Sequence, residues 1–396
     1  MDDRDVLITG LGLVSSLGEG PEAHWLAMNQ AEFQPVLDAE TYAPYSVHPL
    51  PAIDWNLQIP KRGDQRQMET WQRLGTYAAG LALEDAGLKQ DPALCASMDL
   101  VVAAGGGERD EAVDAEILNT SSKSNNRDVL LNEKLSTGLR PTLFLAQLAN
   151  LLAGNISIVH QVTGSSRTFM GEDGAGIAVI ENAVARIRSG QSTHMLVGGA
   201  YQAQHSDLIL GYELGGYLHQ GPWAPVWRRQ GAPGGGVTPG SGAAFLVLES
   251  RAHAAARGAR AYATIEAVVS DRARRSQGEL ASRLAALIER AVNGETGLLT
   301  VSGASGAHAA TAAEQEALAS AGGLAVRGFA SRTGHLKEAQ FPFAVALAAL
   351  ALSRQAAYPA LDGQNETPFD NSLDKALATT VGYHLYEGMA LIGRAE

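Results

Sequence analysis

The chain has 396 residues, of which 45% are hydrophobic and 18% charged, enough for two domains or two fused halves. Its net charge of −12 argues against a nucleic acid or an anionic membrane as partner. The single cysteine, Cys95, excludes an internal disulfide and indicates a reducing compartment. The acidic start of the chain is unlike a signal peptide, and the longest apolar run, 341–352, is too short to span a bilayer. We therefore expect a cytoplasmic protein without membrane insertion.

Strand-like apolar runs alternate with helical patterns through the first 250 residues. In chain order they predict a buried strand and a Gly/Ser turn in 5–18, a helix at 73–87, a strand at 100–104, a helix at 142–153, a strand at 155–162, a helix at 174–188, and strands at 195–197 and 243–248. Gly10, Gly12 and Gly18 miss the spacing of a dinucleotide-binding turn, because the third glycine follows the second by six residues.

The remaining residues continue the alternation. They predict a strand at 262–269, a helix at 279–292, a strand at 298–302, a helix at 312–321, a strand at 324–329, a helix at 341–352, and a terminal hairpin of 376–381 with 388–392. Alternation of this kind indicates an α/β protein with buried sheets covered by helices.

The segment TFMGEDGAG, residues 168–176, has the form of a turn between a strand and a helix, where many enzymes carry a nucleophile. It contains neither cysteine nor serine, and its reactive side chains are Glu172 and Asp173. A carboxylate in this place is typical of a helix N-cap, which accepts hydrogen bonds from free backbone N–H groups. We interpret Asp173 as an N-cap in preference to a catalyst, and Cys95 as a buried, inert thiol.

Five motifs, in order along nearly the whole chain, resemble the β-ketoacyl-ACP synthases of fatty-acid synthesis: VLITGLGLVSSLGEG, LANLLAGNISI, MLVGGAYQA, GSGAAFLVLESRAHAAARGARAYATI and SRTGHL. The resemblance implies a thiolase-like fold of two similar halves, 1–250 and 251–396, in five layers α-β-α-β-α. It also implies a dimer, either a homodimer or a heterodimer with an active synthase, with acyl carrier protein as a partner and neither cofactor nor metal. The stretch PKRGDQRQMETWQRLGTYAAG further resembles the divergent second synthase of alphaproteobacterial clusters for very-long-chain fatty acids of lipid A.

The resemblance assigns the family's catalytic positions to residues that differ from the family pattern. Asp173 falls at the nucleophile cysteine, Ala304 at the first histidine and Ala330 at the lysine, whereas His335 retains the second histidine. His308 lies four residues beyond the first histidine position, and we expect it in a loop.

Two further segments are assigned by the same resemblance. The gating and oxyanion loop corresponds to 382–387, with Gly382 retained, Tyr383 at the gating phenylalanine, and His384 and Leu385 replacing small glycines. The segment 155–167 resembles the strand that pairs across the dimer axis, and the apolar stretch LLAGNISIVHQV is therefore expected at the subunit interface.

Three functions follow as alternatives. The first is a non-catalytic subunit that pairs with an active synthase, as chain-length factors do, and shapes the acyl tunnel. The second is a working 3-oxoacyl-ACP synthase with a variant site that uses His335. The third is a decarboxylase that binds malonyl-ACP without condensing it. Asp173 and Ala304 count against the second and third, because both reactions need stabilisation of an enolate.

Overall fold

The computed structural model describes residues 2–30, 32–139, 143–272, 275 and 279–395. The strands are β1 Val6–Ser15, β2 Gly18–Glu19, β3 Asp99–Ala103, β4 Ser166–Phe169, β5 His194–Tyr201, β6 Gly242–Ser250, β7 Ala263–Asp271, β8 Leu298–Ser302, β9 Leu324–Gly328, β10 Lys375–Val381 and β11 Glu387–Arg394. The helices are α1 Gly20–Met28, α2 Arg62–Gln67, α3 Thr70–Asp85, α4 Pro92–Ser97, α5 Glu111–Ser121, α6 Arg127–Gly138, α7 Leu143–Ala146, α8 Leu151–His160, α9 Asp173–Arg188, α10 Ser206–Leu214, α11 Arg251–Ala256, α12 Glu279–Val292, α13 His308–Ala321, α14 Ala330–Thr333 and α15 Gln340–Arg354.

The strand order repeats once along the chain. The first set runs β1-β6-β5-β3-β4 and the second β7-β11-β10-β8-β9, while the short β2 pairs only with β1. In both sets the first strand in sequence lies next to the fifth, followed by the fourth, second and third. The two sets, called the first and the second sheet below, are joined by the antiparallel pairing of β1 with β7, in which Val6 lies opposite Ile265 and Ile8 opposite Ala263. This repetition confirms the predicted thiolase-like fold with two similar halves.

Five layers result from this arrangement. Helices α9 and α15 lie between the two sheets, and each contacts strands of both sets. Helices α3 and α8 cover the outer face of the first set, and α12 and α13 cover that of the second. Helix α15 is buried from Gln340 to Leu352, so its sequence is apolar on every side, as a helix enclosed by two sheets requires.

Most predicted elements agree with the structure within a few residues. The helix at 279–292 and the strand at 298–302 are confirmed without change, and the terminal hairpin is formed by β10 and β11. Helix α3 ends before Gly87, whose φ of +69° suits the predicted stop. Among the described residues, no helix combines the length and the apolar character needed to cross a bilayer.

The strand predicted at 155–162 is wrong, because these residues belong mainly to helix α8. Leu152, Ile156 and His160 are buried at a helical spacing and face α3 and the first sheet. The local Ile- and Val-rich run favours a strand, but packing against α3 selects the helix. The predicted helix at 142–153 is split into α7 and α8, and residue 142 lies outside the described residues. The strand of this region is β4, which is shorter and later in the chain than the expected segment 155–167.

Glu314 is a carboxyl group buried between α13 and the second sheet. Its Oε1 accepts hydrogen bonds from the Ser302 and Thr379 hydroxyls at 2.8 and 2.6 Å, whereas Oε2 has no partner among the described residues. Burial raises the pKa of Glu314 from 4.5 to about 7, against the opposing effect of the two hydroxyls.

Replacement of Glu314 by glutamine should remove part of the pH dependence of stability. Since the pKa of Glu314 is higher in the folded state, its ionisation opposes folding progressively between pH 4.5 and about 7. From pH 5 to pH 8 the wild type should therefore lose on the order of 2 kcal/mol more unfolding free energy than Glu314→Gln. Urea unfolding at both pH values measures this difference. Glu316→Gln, an exposed change in the same helix, serves as the control. Equal losses in all three proteins would contradict the assignment.

Candidate functional site

A strained turn connects β4 to α9 at the segment singled out in the sequence. Glu172 has φ 56° and ψ −130°, a conformation that L-residues rarely adopt outside functional or tightly packed turns. The next residue, Asp173, opens α9 and is 1% exposed. Close packing fixes the first turn of the helix, because a Cβ at Gly174 would lie 2.6 Å from the Tyr386 ring. The turn therefore delivers the Asp173 carboxylate into the interior.

The Asp173 carboxylate binds His335 instead of capping its helix. Asp173 Oδ1 lies 2.9 Å from His335 Nε2, and both side chains are buried. The Tyr212 hydroxyl lies 2.9 Å from the other ring nitrogen, Nδ1. In the neutral tautomer that carries its proton on Nε2, His335 donates to Asp173, and Nδ1 accepts from the Tyr212 hydroxyl. The N-cap interpretation of Asp173 is wrong, since neither it nor Glu172 makes a side-chain capping bond to the start of α9.

Lys337 forms a second polar group beside this pair. Its Nζ lies 3.2 Å from Glu172 Oε1, and the Tyr383 hydroxyl donates to the same oxygen. The ammonium also lies 5.4, 4.5 and 5.4 Å from the ring centroids of Tyr201, Tyr212 and Tyr383. Burial disfavours the ammonium, but the neighbouring Tyr201 and Tyr383 hydroxyls and the Glu172 carboxylate raise the pKa of Lys337 above its ordinary value. Lys337 is therefore charged and held among three aromatic rings.

The loop 382–387 closes over the start of α9. Gly382 N donates to Tyr386 O at 2.9 Å, and a Cβ at Gly382 would lie 3.1 Å from Asp173 Oδ2. Tyr386, at φ 71°, packs against Gly174, whereas His384 is exposed. The N–H of Gly382 is thus used inside the loop, and the space directly above Asp173 is filled.

Three other sequence-assigned residues lie in the second half of the fold. Ala304 follows β8 and Ala330 begins α14, and both are fully buried methyl groups that can neither donate a hydrogen bond nor carry a proton. His308 was expected in a loop, but it is the first residue of α13. Its ring lies against Gly236, where a Cβ would be 2.8 Å from Cδ2. His308, at the start of a helix of the second half, thus packs against a glycine of the first half.

A cavity of about 120 Å³, partly open to solvent, lies next to Lys337. Its wall includes Glu108, Glu172, Tyr201 and Glu338. Burial raises the pKa of Glu338 from 4.5 to about 7, and nearby Lys337 partly opposes this rise. Sequence reasoning missed Lys337 and Glu338. The available signal was two charged residues directly after TGHL, in front of a long apolar run.

The hydrogen bonds limit the chemistry of this site. Both ring nitrogens of His335 are occupied, by Asp173 and by Tyr212, so neither is free for a substrate carbonyl without rearrangement. Glu172 is bound by Lys337 and Tyr383. The polar side chains of this site are therefore bound to one another, Asp173 to His335 and Glu172 to Lys337, and the site contains no thiol.

The family profile described as Beta-ketoacyl synthase, N-terminal domain, matches residues 3–254, and the chain belongs to this family. Vibrio cholerae 3-oxoacyl-[acyl-carrier-protein] synthase 2 is 26% identical over 271 residues, which cover 67% of this chain and 62% of that protein. The protein of the same name from Rhizobium meliloti is 28% identical over 284 residues, 66% and 63% of the two chains. The matched part thus spans less than two thirds of the curated relatives.

Solved structures share the whole fold. The ishigamide ketosynthase/chain length factor superposes with a TM-score of 0.79 at 20% identity, and covers 99% of this chain and 100% of that one. A β-ketoacyl synthase from Burkholderia phymatum gives 0.77 at 19% identity, with the same coverage. At such identities the likeness establishes the fold alone.

The single thiol lies away from this site, in helix α4. Cys95 is 2% exposed, belongs to the apolar cluster outside the first sheet, and its Sγ donates to Leu88 O at 3.3 Å. Burial, followed by the nearby Asp91 charge, raises the pKa of the Cys95 thiol.

Native protein should therefore resist alkylation. Because a buried thiol reacts only after local opening, iodoacetamide at pH 7.5 should modify Cys95 at least about 100-fold more slowly in buffer than in urea. Mass spectrometry follows the reaction. The exposed thiol of an Ala96→Cys variant in a Cys95→Ser background provides the fast reference in the same helix. Rapid stoichiometric labelling of the native wild type would contradict the described burial.

Proposed function

We propose that this chain is a non-catalytic β-ketoacyl synthase homologue that pairs with an active synthase in the manner of a chain-length factor. The observation that carries the proposal is the buried Asp173–His335 hydrogen bond at the start of α9. It occupies the position that the family resemblance assigns to the nucleophile, and the only cysteine of the chain lies in α4.

Carboxylate chemistry supports the same conclusion. Acyl transfer from a thioester to Asp173 would form a mixed anhydride, which is higher in energy than the thioester, so transfer would run uphill. The carboxylate would also have to leave His335, and a buried imidazole would lose its partner. Decarboxylation of a malonyl group would lack the donors that Ala304 and Ala330 cannot supply.

The edge of the first sheet supports a paired assembly. Strand β4 ends the sheet, and on its outer side no further strand pairs with it within the described residues. Ile158 in α8 and Met170 directly after β4 border this edge and are 61% and 65% exposed. An open strand edge bordered by apolar groups is suited to pairing with the same edge of a second chain. Within LLAGNISIVHQV, Leu152, Ala153, Ile156 and His160 are already buried within this chain.

The finer assignment rests on similarity. Relatives named 3-oxoacyl-[acyl-carrier-protein] synthase 2 support acyl carrier protein as a partner, and a solved structure with this fold is named a ketosynthase/chain length factor. Shaping of a very-long-chain acyl tunnel, within a lipid A pathway, is our extension from the sequence resemblance.

A working 3-oxoacyl-ACP synthase is the second candidate. The observation in its favour is that His335 is retained and bound to a carboxylate, an acid–base pair in principle. Burst acylation with radiolabelled acyl-ACP separates the two, since the first candidate forms no acyl-enzyme.

Disruption of the β4 edge should dissociate the assembly. The double change Ile158→Glu, Met170→Glu places charges in an interface that we expect to bury more than roughly 2,000 Å². Its dissociation constant should rise at least about 30-fold, because loss of central apolar contacts costs about 2 kcal/mol or more. Analytical ultracentrifugation compares it with the wild type and with Leu26→Glu, an exposed change in α1. A wild type that is monomeric at micromolar concentration would overturn the prediction.

Restoration of the thiol alone should not restore condensation. Asp173→Cys can regain thiolate character at the helix start, but two donors remain absent, and removal of one such donor costs about 10²–10³ in rate. The triple change Asp173→Cys, Ala304→His, Ala330→Lys should exceed the single one, because these groups act as a unit.

The assay is malonyl-ACP-dependent extension of acyl-ACP by the purified chain. If the unmodified protein extends acyl-ACP at about 1 s⁻¹, the low end for enzymes, the non-catalytic proposal fails.

A further inference from the structure

The cavity beside Lys337 contains polar atoms without partners. Glu108 and Trp71 line it and are only 7% and 4% exposed. Among the described residues no hydrogen bond reaches Glu108 Oε1, Trp71 Nε1 or Gln202 Oε1, and all three atoms are buried. Buried polar groups are nearly always hydrogen-bonded in folded proteins. Three buried polar atoms without hydrogen bonds around this cavity therefore indicate a ligand with polar atoms, because an alkyl chain would leave all three unpaired.

The charged groups of the cavity wall favour a ligand with a positive charge. Glu108, Glu172 and Glu338 share the wall with Lys337, which pairs with Glu172, and Glu108 Oε2 lies 3.9 Å from His205 Nε2. Glu108 Oε1 and the Glu338 carboxylate are then left to meet the ligand. A Cβ at Gly105 would lie 2.9 Å from Glu338 Oε1, so this glycine leaves the carboxylate uncovered towards the cavity. Two carboxylates in a partly enclosed space repel an anion and attract a cation.

The aromatic walls fit an organic cation. Trp71 and Tyr201 line the cavity, and the Tyr201 ring already lies 5.4 Å from the Lys337 ammonium. Aromatic faces combined with carboxylates bind ammonium groups through cation–π contacts and charge-assisted hydrogen bonds. A metal ion fits less well, because the one set of three close donors found in the described part of the chain, Glu111, His205 and Asp207, includes neither Glu108 nor Glu338.

We propose that this cavity binds a small organic molecule through its primary ammonium group. The ammonium donates to Glu108 and Glu338, with Gln202 Oε1 as a further acceptor, and Trp71 Nε1 is available to an acceptor atom of the ligand. The proposal goes beyond the assembly described above and does not depend on it, since the ligand binds within one chain.

Isothermal titration calorimetry of the purified full-length chain tests this with three probes of equal length: butylammonium chloride, sodium butyrate and butanol. They share the alkyl chain and differ in the head group, so the comparison isolates the charge. Butylammonium should bind at least about tenfold more tightly than either of the others. Equal or tighter binding of butyrate or butanol overturns the proposal, as does no measurable binding of butylammonium up to about 10 mM.

Two variants locate the site. Glu108→Gln and Glu338→Gln should each weaken butylammonium binding at least about tenfold, because each removes one charge-assisted hydrogen bond. Glu181→Gln is the matched control, since Glu181 lies on α9 at a different cavity and accepts from Ser270. Circular dichroism confirms folding, and either folded variant suffices for the test. Wild-type affinity in a folded Glu108→Gln or Glu338→Gln variant contradicts the assignment. Because no partner or acyl substrate is present, the outcome is separate from that of the assembly and activity tests.

Discussion

The hydrogen bond between Asp173 and His335 joins the two halves of the fold at the centre of the molecule. Asp173 begins α9 in the first half, and His335 follows α14 in the second, 162 residues later. Both groups are buried, so either would be left with an unsatisfied polar atom if the other were removed. The positions of Tyr212, of the loop 382–387 and of the cavity wall all depend on where this pair lies.

Backbone strain accompanies the neighbouring ion pair. Glu172 and Lys337 both have positive φ values, 56° and 41°, and their side chains meet at 3.2 Å. Such conformations persist only where the surrounding structure determines them, here the Tyr383 hydroxyl and the aromatic rings around the ammonium. The strained turn thus holds the Glu172 carboxylate against the Lys337 ammonium.

The sequence predicts a helix or strand correctly where a local hydrophobic pattern alone determines the type of element. Helix α12 carries a regular apolar stripe, and β8 is a short apolar run between loops, so both were placed correctly. The segment 155–162 was misassigned because its Ile- and Val-rich run favours a strand until packing on α3 is known. Asp173 was misread for a related reason: capping is a local rule, and its actual partner is distant in sequence. The cavity groups Lys337 and Glu338 gave no signal beyond their charge.

The place of β1 in the sheet has a consequence for the order of events on the ribosome. This strand lies between β6 and β7, with Val6 opposite both Ser250 and Ile265. At a synthesis rate of about 5–20 residues per second, the ribosome needs about 13–50 s to synthesise the chain from β1 to these partner strands. During this time the backbone N–H and C=O groups of β1 have no strand partner from β6 or β7. Meanwhile one face can be covered by α3, whose backbone approaches Gly10 and Gly12 so closely that a Cβ at either would lie 2.4 or 1.9 Å from a carbonyl oxygen of α3. The two glycines thus allow α3 to pack on β1 in the nascent chain long before β6 and β7 are available to pair with it.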